Sequence, residues 1–170
     1  MSIDTQVRRE LGIDDLDLLA AAGRDADQPF QICRALEWVS TETIGHRLFT
    51  VMLFDSGRSE VQRVYTTLPS VYPIGGRKRK METAWAQLVL SEMRVFRGAS
   101  AADIRCPFDD SETILGLGLE SILNIPVVYA DRCLGTMNLL HKAGWYRPED
   151  ERTGRVLAAF LTPALLAGHS

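Results

Sequence analysis

Hydrophobic and polar positions change period several times along the chain, and each change marks an element. Ile13, Leu16, Leu19 and Ala20 recur at helical spacing, which predicts a short amphipathic helix near the N-terminus. Gly23-Arg24-Asp25-Ala26-Asp27 stops it and serves as a polar linker. Pro29 to Ile44 reads as a second helix. Proline suits the first turn, Ile32, Leu36, Val39 and Thr43 share one face, and Gly45 is a natural stop. From Leu48 to Phe54 the residues are apolar on both alternating faces, the mark of a strand covered on both sides. Asp55-Ser56-Gly57-Arg58 turns the chain, and Val61 to Thr66 alternates as the second strand of a hairpin. Residues 67–80 hold two prolines and two glycines, which predicts a long loop.

Met81 to Leu90 predicts a short helix with Met81, Trp85, Leu88 and Val89 inward, and Arg94 to Arg97 a brief strand. Asp109, Asp110 or Ser111 caps a helix ending at Gly118. Ser121–Tyr129 and Cys133–His141 are two strands around a turn at Ala130-Asp131-Arg132. Pro148, with Glu149, Asp150 and Glu151 in the first turn, opens the last helix. Val156, Ala159, Phe160 and Ala164 are its expected buried stripe, and Pro163 should bend or end it. This order predicts an α+β fold, an antiparallel sheet with helices on both faces. The expected organisation is an N-terminal helix and linker over 1–27 and a domain over 28–168.

With its internal proline (Ile125-Pro126-Val127), a turn, a strand from Gly135 to Asn138-Leu139, then Tyr146, Glu149-Asp150-Glu151 and a helix, the C-terminal half resembles a GAF domain. The Trp85 helix and Gly116 to Leu119 fit the same pattern, so the resemblance covers roughly residues 28–167. It implies a GAF/PAS-like sheet with terminal helices on one face and a small-molecule cavity on the other. It also implies sensing of a small molecule in signalling or regulation, the ligand being open because fold does not choose it. Cyclic-nucleotide members resemble one another through an Asn-Lys pair. Here Leu139 follows Asn138, so Asp150 and Glu151 read as helix-capping acids. Bilin members place a histidine beside the attachment cysteine, whereas Pro107-Phe108 follows Cys106. Free methionine-sulfoxide reductases of this fold carry a catalytic cysteine before the proline-bearing strand, and Cys133 comes after it. An enzyme using Cys106 or Cys133 as a thiolate is the alternative, and a pure dimerisation module is a third reading.

Register sharpens the site. If Ala130-Asp131-Arg132 is a three-residue loop, Asn124 lies opposite Asn138 and Pro126 opposite Thr136, and opposed residues share a face. Leu123, Ile125, Val127, Met137 and Leu139 then form an apolar face for the terminal helices. Asn124, Thr136 and Asn138 look into the cavity, which a typical ligand requires to reach ~300 Å³. By the resemblance, the preceding helix adds Asp110, Thr113 and Leu117. Tyr65, Tyr72, Trp85, Arg105 and Phe108 are expected as walls and an anion contact.

Composition narrows the partners. Nineteen Lys+Arg against 22 Asp+Glu give a net charge of −3, which argues against a dedicated nucleic-acid binder. The one local basic excess, Arg77-Lys78-Arg79-Lys80, could draw an anion to the cavity mouth or simply be solvated. Three scattered cysteines and three histidines (His46, His141, His169) show no disulfide, metal or catalytic spacing. No cofactor is implied. No run approaches the ~20 apolar residues of a membrane span, and the N-terminus lacks a signal-peptide layout, so the cytoplasm is expected. The Ile13/Leu16/Leu19 stripe predicts a homodimer through the terminal helices, and any output would pass through the dimer or a separate protein.

Overall fold

The computed structural model describes residues 7–79 and 82–170. Lys80 and Met81, the latter expected on the inner face of the Trp85 helix, lie outside the described residues. Helices α1 (Ile13–Ala22) and α2 (Phe30–Thr43) come first, then strands β1 (Leu48–Asp55) and β2 (Glu60–Thr66). The 67–80 segment is not all loop, because β3 (Arg77–Arg79) pairs antiparallel with β2 as an edge strand. A single turn, α3 (Ala84–Ala86), widens into a π-helix over Gln87–Ser91. Strand β4 (Phe96–Gly98) follows, then α4 (Ala101–Arg105), an element the periodicity left out, and α5 (Ser111–Gly116). Strands β5 (Ser121–Tyr129) and β6 (Arg132–His141) lead to α6 (Pro148–Ala159) and α7 (Thr162–Gly168). The six strands form one antiparallel sheet in the order β3-β2-β1-β6-β5-β4.

The two faces carry separate cores. Leu123, Ile125, Met137 and Leu139 pack with Leu36 and Val39 of α2, Leu157 of α6 and Leu165 of α7. On the other face Ile122 and Leu140 pack with Trp85, Val89, Ile104, Phe108 and Ile114. The strand pattern therefore separates as alternation requires, since a one-residue slip reverses every side chain.

The turn between β5 and β6 differs from expectation. It has two residues, Ala130 and Asp131, both with positive φ (49° and 58°), as a type I′ hairpin turn demands. Such a turn alone would shift the register by one. A bulge corrects it: Val127 pairs with Gly135 and Val128 with Cys133, leaving Leu134 extra on β6. Asn124 consequently faces Asn138, and Pro126 faces Thr136.

The last helix also differs. Its buried residues are Gly154, Leu157 and Ala158, continued by Leu161 and Leu165, whereas Val156 and Ala159 are exposed and Phe160 and Ala164 only half-buried. Both phases are apolar, and Gly154 selects between them. A Cβ there would lie 2.3 Å from Ile125 Cδ1, so a side chain at this point fits only if Ile125 or α6 shifts. The helix breaks at Phe160–Leu161, and Pro163 falls in the first turn of α7.

At the N-terminus Leu19 is fully buried in the helix-side core. Arg8 pairs with Asp150 at 2.6 Å and lies over the Trp145 ring at 4.5 Å. Asp15 accepts from Gly12 N at 2.9 Å and pairs with Arg9 at 2.7 Å, which holds its carboxyl below the usual range. No helix among the described residues is long and apolar enough to cross a membrane.

Candidate functional site

A line of buried polar side chains crosses the face opposite the terminal helices. Trp85 Nε1 donates to Asn124 Oδ1 at 2.9 Å, Asn124 Nδ2 to Asn138 Oδ1 at 2.7 Å, and Asn138 Nδ2 to Thr50 Oγ1 at 3.2 Å. Each link has a local cause. β5–β6 register sets the asparagine pair, and β1–β6 register sets Thr50 directly opposite Asn138. Thr83 caps α3 by accepting from Ala86 N, which fixes the turn that carries Trp85. In apolar surroundings these bonds are needed, since an unpaired buried amide costs ~1–3 kcal/mol.

The line is not saturated. Each amide nitrogen carries two hydrogens and spends one. Thr136, buried on the same face, makes no side-chain hydrogen bond with another described residue. Beside these groups lies a cavity of about 100 Å³. Its floor is Leu48, Thr50, Met52, Ile122, Thr136 and Leu140, and its cover is Trp85, Phe108 and Ile114. This is well under the ~300 Å³ of a typical ligand site, and holds about three water molecules. Trp85 and Phe108, packed edge to face at 5.6 Å, take up the remaining space.

Charged groups stand at the mouth. Lys78 of β3 bridges to Asp109 and, at 3.2 Å, to Asp110 just before α5. Tyr72 Oη donates to the other Asp110 oxygen at 3.2 Å, and burial, reinforced by that acid, raises the tyrosine's pKa. The Arg63 guanidinium of β2 lies over the Tyr72 ring at 4.9 Å, and burial lowers its pKa.

Of the residues expected at the site, Asn124, Thr136, Asn138, Trp85, Tyr72, Phe108 and Asp110 line this cavity. Tyr65, Thr113 and Arg105 do not. A bulge at Val64, between the pairs Val51/Tyr65 and Met52/Arg63, turns Tyr65 to the helix side, where it donates to Glu37. Thr113 is on the outer face of α5, as is Leu117 just past its end. Arg105 is 61% exposed at the end of α4, its carboxylate neighbour being Glu112 at 4.0 Å. Sequence reasoning missed Thr50, Met52, Val61 and Arg63, and Lys78, read there only within the basic run at the mouth, lines the cavity as well. Alternation from Val61 would have found Arg63, and pairing β1 with β6 would have found Thr50.

Asp150 is no lid. It accepts from Arg147 N at 2.8 Å as the cap of α6 and pairs with Arg8, while Tyr146 Oη donates to Gly45 O at 3.1 Å. Among the described residues no cluster of three or more metal-ligand side chains occurs.

Neither a protein-family model nor a curated protein sequence matches the chain. Solved structures do. The GAF domain from a phosphoenolpyruvate-protein phosphotransferase of Coxiella burnetii superposes with a TM-score of 0.70 at 18% identity, covering 92% of this chain and 96% of that one. Its counterpart from Acinetobacter gives 0.70 at 15% identity, with 94% and 97% covered. The GAF domain of a two-component sensor histidine kinase from Bacillus halodurans gives 0.66 at 16%, with 84% and 99% covered. With this sheet order, helix layer and cavity face, the chain has the fold of a GAF domain.

Proposed function

We propose that this chain is a sensory or regulatory module that binds a small molecule on the Asn124/Asn138 face. The observation that carries the reading is the buried line Trp85–Asn124–Asn138–Thr50, which ends beside a cavity with hydrogen-bond donors to spare. A core built only for stability is better served by apolar side chains there, because half-used buried polar groups cost free energy. The fold supports the same reading, since similar structures include a GAF domain of a sensor histidine kinase. Ligands larger than a few heavy atoms require Trp85 and its turn to move outward, and such motion is a natural signal. That signal passes to the outer surface of α1 and α2, where we place a homodimer contact, or to a separate output protein. The setting proposed is the cytoplasm.

Native mass spectrometry of gently purified protein tests the reading. A bound small molecule is expected in the wild type and lost in Asn138→Leu, with Trp85 fluorescence changing on its removal. Protein that carries nothing, and whose Trp85 emission responds to no extract fraction, would leave a self-filled interaction module instead.

A further inference from the structure

We infer that the ligand of this cavity is a small organic carboxylate, seated on Arg63; the inference rests on the binding-site reading above. Arg63 lines the cavity from β2 and spends Nη1 on Pro73 O at 3.2 Å. Its Nε is buried without a partner, and Nη2 has no acceptor among the described residues. The Nε–Nη2 edge is therefore unpaired, although Nε is closed to solvent, and it has the shape that takes both oxygens of a carboxylate once the side chains over it shift. No carboxylate among the described residues forms an ion pair with Arg63, although a partly desolvated cation left without a hydrogen-bonded anion is costly.

The acids nearby are committed elsewhere. Asp110 has one oxygen on Lys78 and the other on Tyr72, and Asp109 is also on Lys78. Lys78 carries one charge against these two acids, and Asp110 also acts on Arg63 at a distance, so the mouth is balanced in charge, but no carboxylate is within ion-pair reach of the Arg63 guanidinium. Deeper in, the spare groups are again donors: one N–H each on Asn124 and Asn138, and the Thr136 hydroxyl. A molecule complementary to this set is rich in acceptor oxygens. A cavity of about 100 Å³ limits it to a few heavy atoms unless the cover opens.

The probes are sodium lactate, acetamide and inorganic phosphate at constant ionic strength, read by thermal melting and calorimetry. Lactate is expected to raise the wild-type melting temperature and acetamide to leave it unchanged. Arg63→Gln should weaken lactate binding roughly tenfold or more, as loss of a charged hydrogen-bonding partner does, with circular dichroism unaltered. Should that variant fail to fold, the wild-type Arg63 Nε–H resonance decides, because lactate must shift it and acetamide must not. Equal effects of lactate and acetamide, preference for phosphate, or full lactate binding in Arg63→Gln would each overturn the assignment. If lactate fails while a neutral molecule stabilises the wild type and not Asn138→Leu, the carboxylate is wrong and the cavity reading stands. If no probe distinguishes wild type from either variant, both fall.

Discussion

Asn124 and Asn138 face each other across β5 and β6, the amide of one donating to the carbonyl oxygen of the other at 2.7 Å. Each then reaches outward, Asn124 to Trp85 and Asn138 to Thr50, so neither can be removed without stranding a neighbour. Asn138→Leu is expected to cost about 1–3 kcal/mol by leaving a donor of Asn124 unpaired. Asn124→Leu should cost a similar amount through Trp85 and Asn138. The double variant should cost clearly less than the sum, because it removes both ends of the central bond. Urea denaturation of the four proteins measures this, and strict additivity would show the pair to be uncoupled.

Gly154 and Ile125 form a second dependent pair. A methyl group on Gly154 would sit 2.3 Å from Ile125 Cδ1, so Gly154→Ala must push α6 off the sheet or force Ile125 out of its rotamer. Overpacking of this kind costs ~1–3 kcal/mol. Ile125→Val deletes the clashing carbon and should recover part of the loss. Gly135→Ala admits no such rescue, since its Cβ would lie 1.9 Å from the backbone oxygen of Met52. A Gly154→Ala protein as stable as wild type would mean that α6 is free to move.

How far the sequence is legible depends on where information is local. The split between Leu123/Ile125 on one face and Asn124 on the other follows from period-2 alternation, and the helices of 29–44 and 148 onward follow from caps and periodicity. The errors sit where one residue changes the phase. Leu134 and Val64 are single-residue bulges that no composition rule marks, and the second moved Tyr65 out of the site. The stripe on the last helix was ambiguous because residues 156/160/164 and 157/161/165 are both apolar. Only a contact between helix and sheet, Gly154 on Ile125, decides it. Arg63 was missed because charge in a strand reads as exposure, and a cavity mouth is half-exposed. Lys78 was read within a basic run on a loop, its place on β3 being invisible in residues 77–79 alone.

The cysteines should separate by environment. Burial pushes the Cys33 thiol up to about 12 and the Cys133 thiol to about 11, while Cys106 is exposed. Cys133 donates to Gly135 O at 3.4 Å, the posture of a thiol and not of a thiolate. At pH 8 only about a thousandth of a thiol with pKa near 11 is ionised. Iodoacetamide at pH 8 is therefore expected to label Cys106 and spare the other two, as read by peptide mass mapping. Rapid labelling of Cys133 at that pH would restore the cysteine-enzyme alternative.

His46 should make stability depend on pH. It is largely buried beside Phe49, with Nε2 3.1 Å from Glu37 O and 3.0 Å from Thr41 Oγ1. Burial lowers its pKa below the ordinary 6.5. Between the folded and unfolded values the unfolded chain binds more protons, so stability rises with pH through that window. It is fully present above about pH 6.5 and declines as the pH falls toward the folded value. The urea midpoint should drop between pH 7 and 5.5 in the wild type and stay flatter in His46→Gln. Identical slopes for the two proteins would assign the dependence to other groups.

The proposed homodimer is best tested at Trp38. Deleting the N-terminal helix is not a clean experiment, because Leu19 belongs to this chain's own core and Arg8 is tied to Asp150. Around one shallow groove α1 and α2 expose Ile13 at 77%, Trp38 at 55% and Leu18 at 39%, and the groove also includes Arg9 and Asp14. A two-fold contact brings one patch against itself. Acids and an arginine on the same groove rim let opposite charges meet across such an axis. Tryptophan is the side chain whose burial contributes most at interface centres. Trp38→Glu should therefore move the sedimenting species from dimer toward monomer while circular dichroism stays unchanged, because Trp38 belongs to neither hydrophobic core. A wild-type chain that sediments as a monomer at high concentration removes this interface, and the signal would then have to leave through a separate protein.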